Sequence, residues 1–171
     1  MRSRVRLFGH SVHQMLIVFP LGLLATSVLF DLLHFATGDA GFATVAYWMV
    51  VAGVIGGLVA APFGTIDWLG IPQGTRARRV GALHGGGNVV VLLFFATSAW
   101  LRQPVPDDPP SAAFVLSLVA FGIAAVTAWL GGELVARLGV GVDENANLDA
   151  PSSLHGAEIA ASTPHGPTVR P

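Results

Sequence analysis

The sequence predicts an all-α integral membrane protein built from four membrane-spanning helices. Of its 171 residues, 53% are hydrophobic and only 11% are charged, and the mean hydropathy is +0.65. A soluble domain of this size is far less apolar. The apolar residues also fall into four runs, each long enough for a helix to cross the hydrocarbon core of a bilayer. We therefore predict a four-helix membrane bundle within residues 1–142.

The boundaries of these helices follow from the ends of the apolar runs. The predicted helices cover about residues 12–36, 43–67, 79–101 and 112–138. The first run is longer than the apolar part of a secretory signal peptide, so we interpret it as a span, with a kink at Pro20. In the second, Gly53, Gly57 and Ala61 recur every four residues. That pattern lets helix backbones approach closely in lipid, either inside the bundle or in a homo-oligomer.

Charge and composition predict the orientation and the end of the bundle. Most arginines flank one side of the helices, which predicts that both termini are cytoplasmic. Residues 143–171 are rich in Gly, Asn, Ser and Pro and lack apolar periodicity, so we predict a disordered tail. His155 and His165 lie in this tail and have no expected role. The pattern predicts no internal repeat.

Polar residues are expected to gather at the cytoplasmic end of the bundle. On this topology every helix brings a histidine or a carboxylate to that end, and Asn88 shares a helical face with the nearest histidine. The ionisable members are His13, Asp67, His84 and Glu133. Because polar groups in lipid are costly, such a layer is expected to be paired or functional.

Three interpretations of this layer remain open. In the first, the histidines bond to the carboxylates and only fix the helices. In the second, His13 and His84 ligate haem b axially, or both histidines with Asp67 and Glu133 bind a divalent metal. Glycines beside the histidine favour haem, because a flat macrocycle needs helix surface with little side chain; they are Gly81, Gly85, Gly86 and Gly87. The third is a proton or ion path.

A second polar group is predicted at the opposite end, but with a weaker role. Asp31 lies on the face of His13, about 27 Å along the helix, with His34 nearby. No partner is expected from the third or fourth helix, so we interpret these residues as interfacial. As the far end of a proton path, Asp31 would need water through an apolar interior.

The inventory of reactive groups argues against several functions. The chain has no cysteine, which excludes disulfides, thiolate-bound iron–sulfur clusters and cysteine zinc sites. It contains no phosphate loop, no nucleophile motif and no strongly basic surface for nucleic acid. We predict neither catalytic residues nor a nucleic-acid partner.

Several segments together resemble a bacterial family named domain of unknown function 2231. They are His13–Gly22, Gly64–Trp68, Gly74–Arg79, Leu83–Gly85, Gly131–Val135 and Gly139–Val142. The resemblance covers about residues 9 to 142 and implies a four-helix domain of the bacterial cytoplasmic membrane. Some members resemble fusions with a Rieske-type domain, which implies a redox role; this cysteine-free chain would need a separate redox protein as partner. His13, Asp67 and His84 fall on the family's His, Asp and His positions, whereas Gln14 replaces its usual proline.

Overall fold

The computed structural model describes residues 1–154, and it confirms the predicted all-α fold. Of residues 1–154, 71% are helical, and this part of the chain has almost no sheet. Four helical stretches in this part of the chain are long and apolar enough to span a membrane: Val12–Thr37, Ala40–Leu69, Arg76–Arg102 and Ser111–Arg137. Each begins and ends within a few residues of the predicted bounds.

The first span is broken near its beginning. A short hairpin, β1 (Arg6–Leu7) with β2 (His10–Ser11), leads into α1 (Val12–Leu16), and α2 (Val18–Thr37) follows after Ile17. Pro20 has no N–H to donate, and its ring crowds the carbonyl four residues earlier, at Leu16. The break therefore falls one turn before the proline at which a kink was predicted.

The remaining spans are α3 (Ala40–Leu69), α4 (Arg76–Arg102) and α5 (Ser111–Gly132), which continues as a π-helical turn over Glu133–Arg137. The turn between α3 and α4 is held by Arg78. Its guanidinium lies 3.8 Å above the Trp68 ring and donates to the carbonyl of Ile71 at 3.2 Å. It also donates to the carbonyl of Trp68 in the last turn of α3, so the arginine caps the end of that helix.

Tight packing joins the spans in pairs. The closest contacts run between α2 and α3 and between α4 and α5, so the bundle consists of two helical hairpins. Its centre is apolar, with a core cluster formed by Leu24, Val28, Val50, Val91, Phe95 and Ala120. The glycine stripe of α3 faces this interior: a Cβ at Gly53 or Gly57 would overlap Leu24 or Leu92, at 2.6 and 2.5 Å.

The two hairpins repeat one pattern of buried positions. Asp31 of α2 and Arg102 of α4 are 71 residues apart, and the same offset relates four buried pairs of α2 and α4: Pro20 and Val91, Leu24 and Phe95, Ser27 and Ser98, Asp31 and Arg102. A second constant offset relates five buried pairs of α3 and α5: Ala46 and Ala113, Val50 and Ser117, Gly53 and Ala120, Ala60 and Thr127, Asp67 and Leu134.

The prediction of no internal repeat is therefore wrong. Each hairpin comprises one outgoing and one returning helix, so the halves run in parallel and are related by an approximate two-fold axis along the bundle. Apart from the tripeptide Ala-Thr-Ser at residues 25–27 and 96–98, few identical residues mark the equivalence. Burial preserves the pattern because packing constrains side-chain size and position more than identity.

The N-terminal strap, residues 1–6, lies across the end of the bundle at which α1 begins. The Met1 ammonium donates to the Gly139 carbonyl at 3.0 Å, and the Gly141 N–H donates to the Met1 carbonyl at 2.8 Å. Arg2 pairs with Asp143 at 2.8 Å. Of the predicted tail, residues 143–154 form no helix or strand, whereas the remainder, with His155 and His165, lies outside the described residues.

Candidate functional site

The predicted His84 site is a hydrogen-bonded network between α4 and α5. Nδ1 of His84 lies 2.8 Å from the Thr127 carbonyl, and because a carbonyl can only accept, Nδ1 carries the proton. Nε2 of the neutral ring then accepts from the Asn88 amide at 3.2 Å. The amide oxygen of Asn88 lies 2.9 Å from the Thr127 hydroxyl, which donates to it. The ring is thus fixed in one tautomer.

His13 occupies a matching place between α1 and α3. Its Nδ1 donates to the carbonyl of Ala60 at 3.1 Å, which leaves the lone pair on Nε2. Among residues 1–154, no hydrogen-bond partner reaches this Nε2. His13 is half-buried, as is His84.

The two histidines are equivalent members of the repeat. They are related by the offset that joins Asp31 to Arg102, and their carbonyl acceptors, Ala60 and Thr127, are equivalent as well. A glycine stands one helical turn beyond each acceptor. A Cβ on Gly64 would lie 2.7 Å from the His13 ring, and one on Gly131 would lie 3.1 Å from the His84 ring. Both imidazoles therefore pack against bare helix backbone.

Asp67 does not join the histidines, although the sequence predicted one layer. Its carboxylate accepts from the Ser3 hydroxyl at 2.7 and 2.8 Å and from the Arg4 N–H at 2.7 Å. The side chain is 9% exposed. Asp67 lies two turns past Ala60, and therefore about 10 Å nearer the end of the helix than that carbonyl. It holds the N-terminal strap on the bundle.

Glu133 is also committed elsewhere, because it accepts from the Arg76 guanidinium at 2.6 Å. The predicted layer is therefore two tiers, with histidines inside and carboxylates at the rim. Within residues 1–154, no group of three or more His, Asp or Glu side chains is arranged to hold a metal ion. The structure does not bring together the four predicted metal ligands, and the predicted histidine–carboxylate bonds are replaced by bonds to carbonyls.

The glycines beside His84 differ in their surroundings. A Cβ on Gly81 would meet the Trp68 ring at 2.7 Å, and one on Gly87 would meet the Thr127 methyl at 2.5 Å. Gly85 and Gly86 face outward, with nothing within 4 Å of an added Cβ. The haem interpretation required these two glycines to line a space beside the imidazole, and they do not.

At the opposite end, sequence reasoning missed a buried ion pair. Arg102 donates to both carboxylate oxygens of Asp31, at 2.6 and 2.7 Å, and the two side chains are 0% and 2% exposed. Nε of Arg102 also donates to Ser98 at 3.1 Å. Ser98 in turn donates to the Ala113 carbonyl at 2.7 Å and lies 2.9 Å from the Ser117 hydroxyl. All four polar side chains are buried and bonded.

The interpretation of Asp31 as an interfacial residue without partners from the third or fourth helix is therefore wrong. Arg102 is the last residue of α4, but its side chain points back into the bundle. His34 stands apart from this cluster, bonded to the Asp39 carbonyl at 2.9 Å. The repeat could have predicted this pair, because the aspartate and the arginine occupy equivalent positions in the two hairpins.

An apolar core separates the two polar ends. The core cluster lies between them, and the buried serine closest to its level, Ser27, donates to the carbonyl of its own helix at Leu24. The described residues therefore offer no polar side-chain relay from Asp31 to the histidines. The interpretation as a proton path gains no support.

A family model described as "Predicted membrane protein (DUF2231)" matches residues 9–144. No curated protein and no solved structure matches the chain.

Proposed function

The chain belongs to the DUF2231 family of predicted membrane proteins, and we propose that it is a non-enzymatic redox module that carries haem b between His13 and His84. In this proposal it lies in the bacterial cytoplasmic membrane with both termini inside. Its electron partner is a separate redox protein, since the chain has no cysteine for an iron–sulfur cluster.

The equivalence of the two imidazoles is the observation that carries this proposal. Each donates from Nδ1 to a main-chain carbonyl of the neighbouring helix and packs against a glycine. Metal-bound histidines in proteins have this arrangement, because the Nδ1–H bond fixes the tautomer and leaves the Nε2 lone pair for the metal. Two such histidines from opposite hairpins would hold the haem iron through Nε2.

The two sites differ in how accessible Nε2 is. Nε2 of His13 has no partner in the described residues, whereas Nε2 of His84 accepts from Asn88. Ligation through His84 therefore requires the Asn88 amide to turn away. When bound, haem would supply one-electron chemistry; the chain would bind it and fix the orientation of its ligands.

A scaffold role is the second candidate, and complete hydrogen bonding favours it. In residues 1–154, every buried side-chain nitrogen or oxygen has a partner. The histidine bonds to Ala60 and Thr127 also tie helices together without any ligand. In a scaffold or assembly subunit these bonds would only set the register of the bundle.

Optical spectroscopy separates the two candidates. Purified protein is loaded with haem in detergent, and its spectrum is recorded in the oxidised and the dithionite-reduced states. The haem proposal predicts a Soret band and sharp low-spin bands on reduction, with one haem per chain. Elemental analysis of the unloaded protein tests bound metal in parallel.

A wild-type protein that acquires no Soret band would contradict the haem proposal and leave the scaffold. The variant Asn88→Ala further distinguishes the haem proposal from the scaffold. It frees Nε2 of His84, so haem affinity should be unchanged or higher, whereas the scaffold predicts only lower stability.

A further inference from the structure

The N-terminal strap and the hairpin after it carry a surface that the haem proposal does not use. The strap alternates along its length: Arg2, Arg4 and Arg6 are exposed, while Ser3 is buried against Asp67. This is the period of an extended strand with one face on the protein. Its other face is therefore a row of arginines.

An apolar tip follows the row of arginines. In the hairpin, Leu7 pairs with His10, and Phe8 and Gly9 form the turn. Leu7 is 48% exposed and Phe8 is 70% exposed. Both turn residues have positive φ, 50° at Phe8 and 87° at Gly9, which is the conformation of a type I′ turn. Asn, Asp or Gly would normally occupy the first of these positions, because a bulky side chain is strained there.

The position of the tip limits what it can contact. Phe8 precedes the first residue of the spanning helix, Val12, by four positions, so the tip is at most about 14 Å from the start of the span. That distance keeps it at the boundary between membrane and water. An exposed phenylalanine and leucine beside arginines are the composition of segments that lie in the interface.

The charge around the tip is unbalanced. The ion pairs of the described residues use Arg2, Arg76 and Arg102. The exposed arginines at this end that take part in none of these pairs are Arg4, Arg6, Arg79 and Arg137. The opposite end instead exposes the carboxylates of Asp39, Asp107 and Asp108. The charge at the strap end is thus complementary to an anionic surface, whereas the charge at the opposite end is not.

Three of the acidic residues near the strap are already engaged. Asp67, Glu133 and Asp143 already accept hydrogen bonds from the strap or from Arg76. Glu144 and Asp149 follow in the segment after the last helix.

We propose that the N-terminal hairpin is an interfacial anchor that binds anionic phospholipid headgroups through Arg4 and Arg6, with Leu7 and Phe8 inserted beside them. Arg79 and Arg137 extend the same basic surface. Arginines beside an anionic bilayer are attracted to it electrostatically. Burial of the two apolar side chains in the interface compensates for the strained turn.

The absence of cysteine allows a direct test of the depth of the tip. Leu7→Cys is labelled with bimane and reconstituted in vesicles of phosphatidylcholine, with or without phosphatidylglycerol. Nitroxide-labelled lipid and aqueous iodide then quench the label from opposite sides. The matched control is Leu148→Cys, because Leu148 is 104% exposed and lies in the segment after the last helix.

The proposal predicts that nitroxide lipid quenches the label at residue 7 and that phosphatidylglycerol increases this quenching and protects against iodide. High salt, or Arg4→Gln with Arg6→Gln, should abolish the effect of phosphatidylglycerol, and Phe8→Ser should reduce lipid quenching in both membranes. The label at residue 148 should be quenched by iodide throughout. Equal iodide quenching at residues 7 and 148 would overturn the anchor, and lipid quenching indifferent to phosphatidylglycerol and to both arginines would overturn the headgroup site.

Discussion

The two polar ends of the bundle are built differently. At one end, Asp31 and Arg102 form a bidentate ion pair with almost no exposure. At the other, His13 and His84 are half-buried, and Nδ1 of each bonds to a main-chain carbonyl. Both ends are made from equivalent positions of the two hairpins. The difference lies in whether those positions hold opposite charges or identical imidazoles.

Opposite charges favour one pairing of the hairpins. Two copies of the first hairpin would bring aspartate against aspartate, and two copies of the second would bring arginine against arginine. Only the mixed pair is neutral in a setting where an isolated charge is costly. Identical imidazoles create no such preference. The ion-paired end is thus suited to specifying assembly, whereas the histidine end is not.

The largest effect is expected from breaking the ion pair. Arg102→Gln leaves the buried Asp31 carboxylate unpaired, and removing one partner of a buried pair typically costs about 3–5 kcal/mol. The melting temperature in detergent should fall sharply. Arg137→Gln, at an exposed arginine, is the matched control and should leave it unchanged. Similar melting of both variants would mean that the pair contributes little.

A charge swap tests the repeat itself. Asp31→Arg alone places two arginines together and should prevent folding or lower the melting temperature strongly. The double variant Asp31→Arg with Arg102→Asp restores a neutral pair at equivalent positions and should regain much of that loss. If the double variant is as unstable as the sum of the two single variants, the two positions are not interchangeable.

A smaller effect is expected from the glycines that contact the imidazoles. In Gly64→Ala the new methyl would lie 2.7 Å from the His13 ring, and in Gly131→Ala it would lie 3.1 Å from the His84 ring. The first should therefore lose more stability and more haem affinity than the second, with overpacking typically costing about 1–3 kcal/mol. Gly85→Ala, which meets nothing within 4 Å, is the control and should be neutral or slightly stabilising. If Gly131→Ala instead lost more thermal stability and haem affinity than Gly64→Ala, the imidazole rings would not pack against these glycines as described.

The strap should respond locally to loss of Asp67. Asp67→Ala removes the acceptor for Ser3 and Arg4, so hydrogen exchange of residues 1–6 should accelerate while α4 and α5 stay protected. Ser3→Ala removes one of these donors and should give a weaker form of the same result. Unchanged exchange in Asp67→Ala would show that the contacts with Gly139 and Gly141 hold the strap alone.

The smallest effect is a pH dependence of the strap at Asp143. The Asn145 backbone N–H, and after it Arg2, lower the pKa of Asp143 below its ordinary value. The stabilisation is therefore present above the ordinary carboxylate pKa and is lost as the pH falls through the lowered one. Hydrogen exchange at Arg2, corrected for its intrinsic pH dependence, should rise in that acidic range, and Asp143→Asn should remove the dependence. A dependence that persists in this variant would assign it to another group.

Physical chemistry explains why the sequence predicted the helices well and the polar groups less well. Long apolar runs allow little choice of structure, so four spans followed directly. Side-chain partners depend on the rotation of each helix about its axis, which apolar residues all around a membrane helix do not fix. The pairing of Asp31 with Arg102 was consequently not predicted, and Asp67 was grouped with the histidines although its carboxylate bonds to the strap. The positions of His13 and His84 at one end of the bundle were predicted, but their carbonyl partners were not.

Haem titration of His13→Ala and His84→Ala, beside the wild-type protein, tests whether the two histidines form one equivalent pair. We expect the wild-type protein to bind one low-spin haem and each variant to lose the six-coordinate spectrum to a similar degree. Restoration by added imidazole in both variants would assign the missing ligand in each. A low-spin spectrum that survives either substitution would show that the two histidines are not an equivalent pair of ligands. A wild-type protein that binds no haem would contradict the haem proposal.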